Sequence, residues 1–286
     1  MMFLYEQNKE HWGSTVARGF CIAQALNVPC LAIEAVADDL HGETLVCLKF
    51  SDYSRLLGLS QRNRIVIDMA DCGQSVESQS SIFEHFGFGI FTSHQQRRRL
   101  GGLFRESDQN VTIYHHWDAR LNSVVLDPHR EARIAYFGLD AKCNLFKQSN
   151  RIDYFNVTES SRIRNMRHGM SFRDSLALYA PYNVHFVVKP REHEMLLQPM
   201  TKVANAAALG CPVICFQHEQ YEELLTSEYP YFCPDFTLGS LDEVIEKIRA
   251  TYQGQAWFQA LGIMRKVRAE TSLASAVKQY QCLEVP

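Results

Sequence analysis

Three basic side chains, Lys189, Arg191 and Lys202, gather around the start of one predicted helix, in the run Lys189-Pro190-Arg191 … Gln198-Pro199-Met200-Thr201-Lys202. The first backbone N–H groups of a helix have no partner inside it, so its opening turn attracts an anion. Cations at that turn, and at the end of the strand before it, suit the binding of a phosphate. Ala204, Ala206, Ala207 and Ala208 let the helix pack closely on a sheet, and Gly210 ends it. Glu222 lies on the short helix that follows the next strand.

A second group stands earlier in the chain. His11 lies in the polar loop after the first strand, and imidazole titrates near neutral pH, as a general base must. Gly13 and Gly19 leave room for close approach of a backbone or a helix. Asp71 follows the buried run Arg64 to Met69, where a carboxylate could accept a hydroxyl proton. His94, His115, His116 and Asp118 follow two neighbouring strands and read as a cleft wall. No metal site is predicted: His115, His116 and Asp118 are too few alone, and Cys211 and Cys215 sit inside an apolar run. Arg97, Arg98 and Arg99 read as a solvated helix face. Arg162, Arg164, Arg167 and Arg173 could bind an anionic acceptor or an acidic partner.

These residues need a scaffold, and the apolar pattern supplies one. Strands are predicted over 2–5, 28–33, 44–50, 64–69, 87–92 and 110–114. A second set covers 132–137, 151–155, 183–188, 212–216 and 231–233. Helices are predicted over 15–26, 93–103, 171–179, 201–209, 221–225 and 241–252, with a helical tail from Gly254 to Leu283. Alternation of strands and helices implies parallel sheets covered on both faces, and two successive sets imply two α/β lobes. The 286 residues fit that count, with 46% hydrophobic and 21% charged residues excluding wholesale disorder. A net charge of −3 does not favour nucleic acid as the main partner. Nine cysteines without a CxxC pair, no signal peptide and no membrane-length apolar stretch point to a cytoplasmic protein with reduced thiols.

The stretch PMTKVANAAALGCPVI…YEELL resembles the donor-site unit of GT-B-fold glycosyltransferases of the family 4 and family 1 type. GIFTSHQQRRRL…NVTIYHHWDARL is similar to their first-lobe strand, helix and strand, and ARIAYFG at 132–138 to the strand and glycine loop that open their second lobe. The resemblance implies two Rossmann-like lobes with parallel sheets facing a central cleft. Residues 1–125 would form the acceptor lobe, with 272–286 packing back on it, and 126–271 the nucleotide-sugar lobe. It implies a metal-independent glycosyltransferase with no cofactor, taking a UDP- or GDP-linked sugar as substrate and a glycan or small-molecule hydroxyl as acceptor. Gly138, Lys189, Arg191, Thr201, Lys202 and Glu222 would hold the donor. Gly13, His94 and His116 would hold the acceptor, and His11 or Asp71 would be the catalytic base. Aligning the helix puts Asn205 and Leu197 where many retaining members carry the E-x7-E glutamates, which tilts the expectation towards inversion. Two other readings are a non-catalytic nucleotide- or sugar-binding module of the same fold, or a partner subunit of a larger transferase, and a phage-type enzyme that glycosylates DNA.

Overall fold

The computed structural model describes residues 1–10, 13–70, 75–138, 146–157, 172–188 and 198–284. The chain forms two compact units. The first contains residues 1–116 and the C-terminal segment 272–286, together with 191–200; the second contains 117–190 and 201–271.

The first unit holds a six-stranded sheet in the order β2-β1-β3-β4-β5-β6. Its strands are β1 (Met2–Tyr5), β2 (Cys30–Ala32), β3 (Thr44–Leu48), β4 (Arg64–Asp68), β5 (Phe88–Phe91) and β6 (Val111–Thr112). Every pairing is parallel. Side chains alternate across a strand, and here both faces are buried, which explains the continuous apolar runs. Leu4, Leu45, Cys47, Ile65 and Ile67 pack in one core; Phe3, Val46, Leu48 and Val66 pack in another. The second core is closed by Ile22 and Ala23 and by Ala276, Tyr280 and Leu283 from the end of the chain.

The second unit holds a five-stranded parallel sheet in the order β11-β10-β9-β7-β8. Its strands are β7 (Ile134–Gly138), β8 (Asp153–Asn156), β9 (Val184–Val187), β10 (Val213–Phe216) and β11 (Phe232–Cys233). One face carries Ala135 and Phe137 in a core with Leu121, Val157, Tyr179 and Tyr182. Aromatic contacts run from Tyr136 to Phe186, and from Phe186 to Phe146 and Phe216.

Both sheets reverse their winding beside their own first strand, between β1 and β3 and between β7 and β9. In an open α/β sheet such a point opens a crevice beyond the carboxyl ends of the strands, where ligands bind. Each unit therefore has one topologically determined place for a site.

The helices differ from the sequence-based expectation in three places. The 15–26 helix is wound as a π-helix over Thr15–Cys21 before the α-helical turns Ile22–Leu26. Short helical turns at Tyr53–Leu56, Leu57–Ser60, Ser75–Ser78 and Ser80–Phe83 carry no clear helical period and were not expected. The tail is two helices, Gln255–Glu270 and Leu273–Gln281. The second begins where Ser272 takes an extended backbone and its hydroxyl accepts from the Ser275 N–H at 3.1 Å, capping the new helix.

Candidate functional site

At the switch point of the second unit, β7 ends at Gly138 and the Thr201–Ala208 helix begins nearby. Lys202, in the first turn of that helix, lays its ammonium against Gly138. The same ammonium donates to Tyr136 Oη at 2.8 Å and lies 4.2 Å from the centre of the Tyr136 ring. A Cβ on Gly138 would stand 2.7 Å from Lys202 Cε and 2.9 Å from Tyr136 Oη. Glycine is therefore what lets the lysine reach this position. Asn156, paired with Gly138 across β7 and β8, has a buried Oδ1 with no hydrogen-bond partner among the described residues. Gly138 and Lys202 thus meet at the carboxyl end of β7.

Other expected residues are engaged elsewhere or less closely. Glu222 lies on the Glu219–Leu225 helix, where its carboxylate accepts from Gln217 Nε2 at 2.7 Å. Asn205 Oδ1, at the place of the second glutamate, accepts from the Asp118 N–H at 3.0 Å and so anchors backbone. Lys189 and Arg191 lie outside the described residues, as do His11 and Asp71.

In the first unit, the loops after β1 and β3 are laced together at the switch point. Lys9 pairs with Glu6 at 2.5 Å, donates to the Lys49 carbonyl at 2.7 Å and contacts the Ser51 hydroxyl. Glu6 also accepts from the Ser51 N–H at 2.7 Å. Gly13 has no atom within 4 Å of where a Cβ would stand, whereas Gly19 is pressed against Leu48 and Cys30 and serves helix-to-sheet packing.

His94 and His116 have different surroundings. His94 is exposed in the first turn of the His94–Leu100 helix, 3.2 Å from Thr112 Oγ1 and edge-on to Tyr114. His116 is buried, and its Nε2 lies 2.8 Å from the Ala17 carbonyl, which assigns the proton to that nitrogen. His115 Nδ1 contacts the His116 carbonyl at 2.9 Å. Asp118 caps the turn Ala119–Ser123 and grips Arg120 at 2.9 and 2.6 Å. Among the described residues no group of three or more His, Cys, Asp or Glu side chains could hold a metal ion. Nor does any described helix have the length and apolarity to cross a membrane.

Two arrangements were invisible in the sequence. One is Tyr136, read only as part of an apolar strand. The other is the buried group Arg18, Asp68 and Tyr280. Arg18 Nε contacts both Asp68 oxygens, at 2.9 and 2.7 Å, and Tyr280 donates its hydroxyl to the same carboxylate. Burial, with the Asp68 charge adding to it, holds the Tyr280 phenol well above its ordinary pKa. The available signal was an arginine at position 18 inside an otherwise apolar helix.

No protein-family model matches the chain, and no curated protein matches its sequence. Solved structures do match over the whole length. Anabaena HepE in complex with UDP-glucose superposes with a TM-score of 0.69 at 11% identity, covering 99% of this chain and 98% of that one. A glycosyltransferase from Rickettsia africae gives 0.67 at 11% identity, covering 99% and 97%. Sucrose-phosphate synthase from Thermosynechococcus elongatus gives 0.60 at 16% identity, covering 84% and 72%. Two parallel, Rossmann-like sheets in one chain, each with its own switch point and superposing on these glycosyltransferases, mean that this protein has the GT-B fold.

Proposed function

We propose that this protein is a glycosyltransferase that moves a sugar from a nucleoside-diphosphate sugar to an acceptor hydroxyl. The observation that carries the reading is the Lys202 ammonium held against Gly138 at the switch point of the second sheet, in the first turn of a helix. In the reaction the bond from the anomeric carbon to the diphosphate oxygen breaks and its electron pair leaves with the diphosphate. The acceptor oxygen forms the new bond and gives up its proton. Lys202, the first-turn N–H groups of the Thr201–Ala208 helix, and Lys189 and Arg191, which follow β9 in the chain, would stabilise the departing charge. That role needs no divalent ion, and UDP or GDP is the expected carrier. The structure of HepE with UDP-glucose supports a nucleotide sugar as donor.

The acceptor would lie at the first unit, with His11 or Asp71 as the base, and with Gly13, His94 and His116 at its margin. Glu222 would complete the donor pocket. A panel of UDP- and GDP-sugars, assayed for nucleoside diphosphate release and for calorimetric binding, tests the reading. Turnover of one donor, lost or weakened in Lys202→Ala, is expected. No binding and no turnover with any of them would end it.

One observation favours a second reading, a nucleotide- or sugar-binding module without transfer. Asn205 stands where many retaining enzymes carry a glutamate, and it is spent on the Asp118 backbone. Tight nucleotide binding without product from any acceptor would select that reading.

A further inference from the structure

The geometry points to Tyr136 as the positioning residue for Lys202: it holds the ammonium at the carboxyl end of β7, where the donor diphosphate would bind. This rests on the donor-site reading above. A lysine is a flexible point charge, and fixing it costs much of its rotamer freedom. Tyr136 offsets that cost in two ways. Its hydroxyl accepts from Lys202 Nζ at 2.8 Å, and its ring face lies 4.2 Å from the ammonium, a cation–π contact. The ring is itself immobile, being fully buried and packed between Tyr154 and Phe186 at centroid distances of 6.0 and 6.2 Å.

The strand period places Tyr136 and Gly138 on the same face, so the residue that grips the ammonium and the residue that makes room for it belong to one strand. In the unliganded protein Tyr136 keeps the lysine in place. A diphosphate arriving at the Thr201 helix start meets a charge already aimed at it, and less ordering remains to be done on binding. Tyr136 acts through Lys202 and is not a catalytic residue.

A double-mutant cycle with UDP as the calorimetric probe tests this. Tyr136→Phe keeps the ring and removes the acceptor oxygen. It should weaken UDP binding by roughly fivefold when Lys202 is present. In a Lys202→Met background the same change should alter affinity by less than about twofold, because the group it positions is gone. Gly138→Ala is a control for the position of the lysine, since its Cβ would press on the flexible end of Lys202 and on Tyr136 Oη; it should cost affinity only when Lys202 is present. Thermal unfolding checks that each variant folds, and Tyr136→Leu, run through the same cycle, carries the test if Tyr136→Phe does not fold. An equal loss in both backgrounds, or no loss with Lys202 present, overturns the inference. If Lys202→Met weakens UDP while Tyr136→Phe is silent, the donor reading stands and the inference falls. If Lys202→Met binds UDP like the wild type, both fall.

Discussion

Arg18 and Asp68 form an ion pair closed off from solvent, with side chains 1% and 0% exposed. Arg18 Nη1 also donates to the carbonyls of Ile113 and Tyr114 at 3.0 and 3.4 Å, and Tyr280 donates to Asp68. A single carboxylate therefore ties together the helix after β1, the ends of β4 and β6, and the last helix of the chain. Breaking a buried pair from one side leaves a desolvated charge alone, which costs about 3–5 kcal/mol, whereas replacing both partners by apolar groups is often near neutral. Arg18→Met should lower unfolding stability by that amount, and Arg18→Met with Asp68→Leu should recover most of it. Denaturant titration of the three proteins decides, and a full-strength Arg18→Met protein would contradict the assignment.

Tyr280→Phe isolates the link to the C-terminal helix. Losing a hydrogen bond to a charged acceptor costs about 1.5–3 kcal/mol. Amides of the Leu273–Gln281 helix should then exchange faster with solvent, while those of the second sheet keep their protection. Unchanged exchange in that helix would show that its apolar contacts alone hold it.

At the proposed donor site, Lys202→Ala should weaken nucleotide-sugar binding or turnover by about tenfold or more, the equivalent of one charge-assisted hydrogen bond. Wild-type kinetics and affinity in this variant would remove Lys202 from the site.

For the proposed base, His11→Ala or Asp71→Asn should lower kcat by about 10²–10⁴-fold while donor binding survives. NMR of the product's anomeric configuration accompanies the kinetics. Retention, together with near-normal rates in both variants, would rule out a base at either position.

His185 gives a pH signature. Its ring lies in β9 beside Phe137 and Tyr179, and burial lowers its pKa to about 3. The folded chain keeps it neutral while the unfolded chain takes up a proton below about pH 6.5. Its burden on stability is therefore absent above that value and grows as pH falls towards 3, by about 1.4 kcal/mol per unit. Between pH 7.5 and 5.0 the wild type should lose about 2 kcal/mol more than His185→Phe. Identical pH dependence in the two proteins would mean that the ring is protonated in the fold.

Strands were legible because their signal is local. Arg64 to Asp68 reads as a strand since both faces of a parallel sheet are apolar, and so do Ile134–Gly138 and Val213–Phe216. Alternation of such runs with helices carries the two-sheet architecture. Lys202 stood out in the sequence for the same reason, because a basic residue in the first turn of a helix has a meaning that needs no distant partner. The break at Thr271 and Ser272 was not legible, since both sides continue in helical period and the new start is marked by the Ser272 cap.

Tertiary structure decided how the charges are used. Arg18 and Asp68 are 50 positions apart, and Tyr280 is 212 from Asp68; in the sequence each is simply a polar residue of a helix or strand end. Only parallel packing, which brings the ends of β4 and β6 under the helix after β1, makes them a buried group. Lys202 is likewise 66 positions from Tyr136. The sequence placed that lysine at a helix start, and the return of the chain to the carboxyl end of β7 aimed its ammonium. Local periodicity is written in neighbouring residues, whereas a charge acquires its environment from segments that chain connectivity leaves far apart and that packing alone brings together.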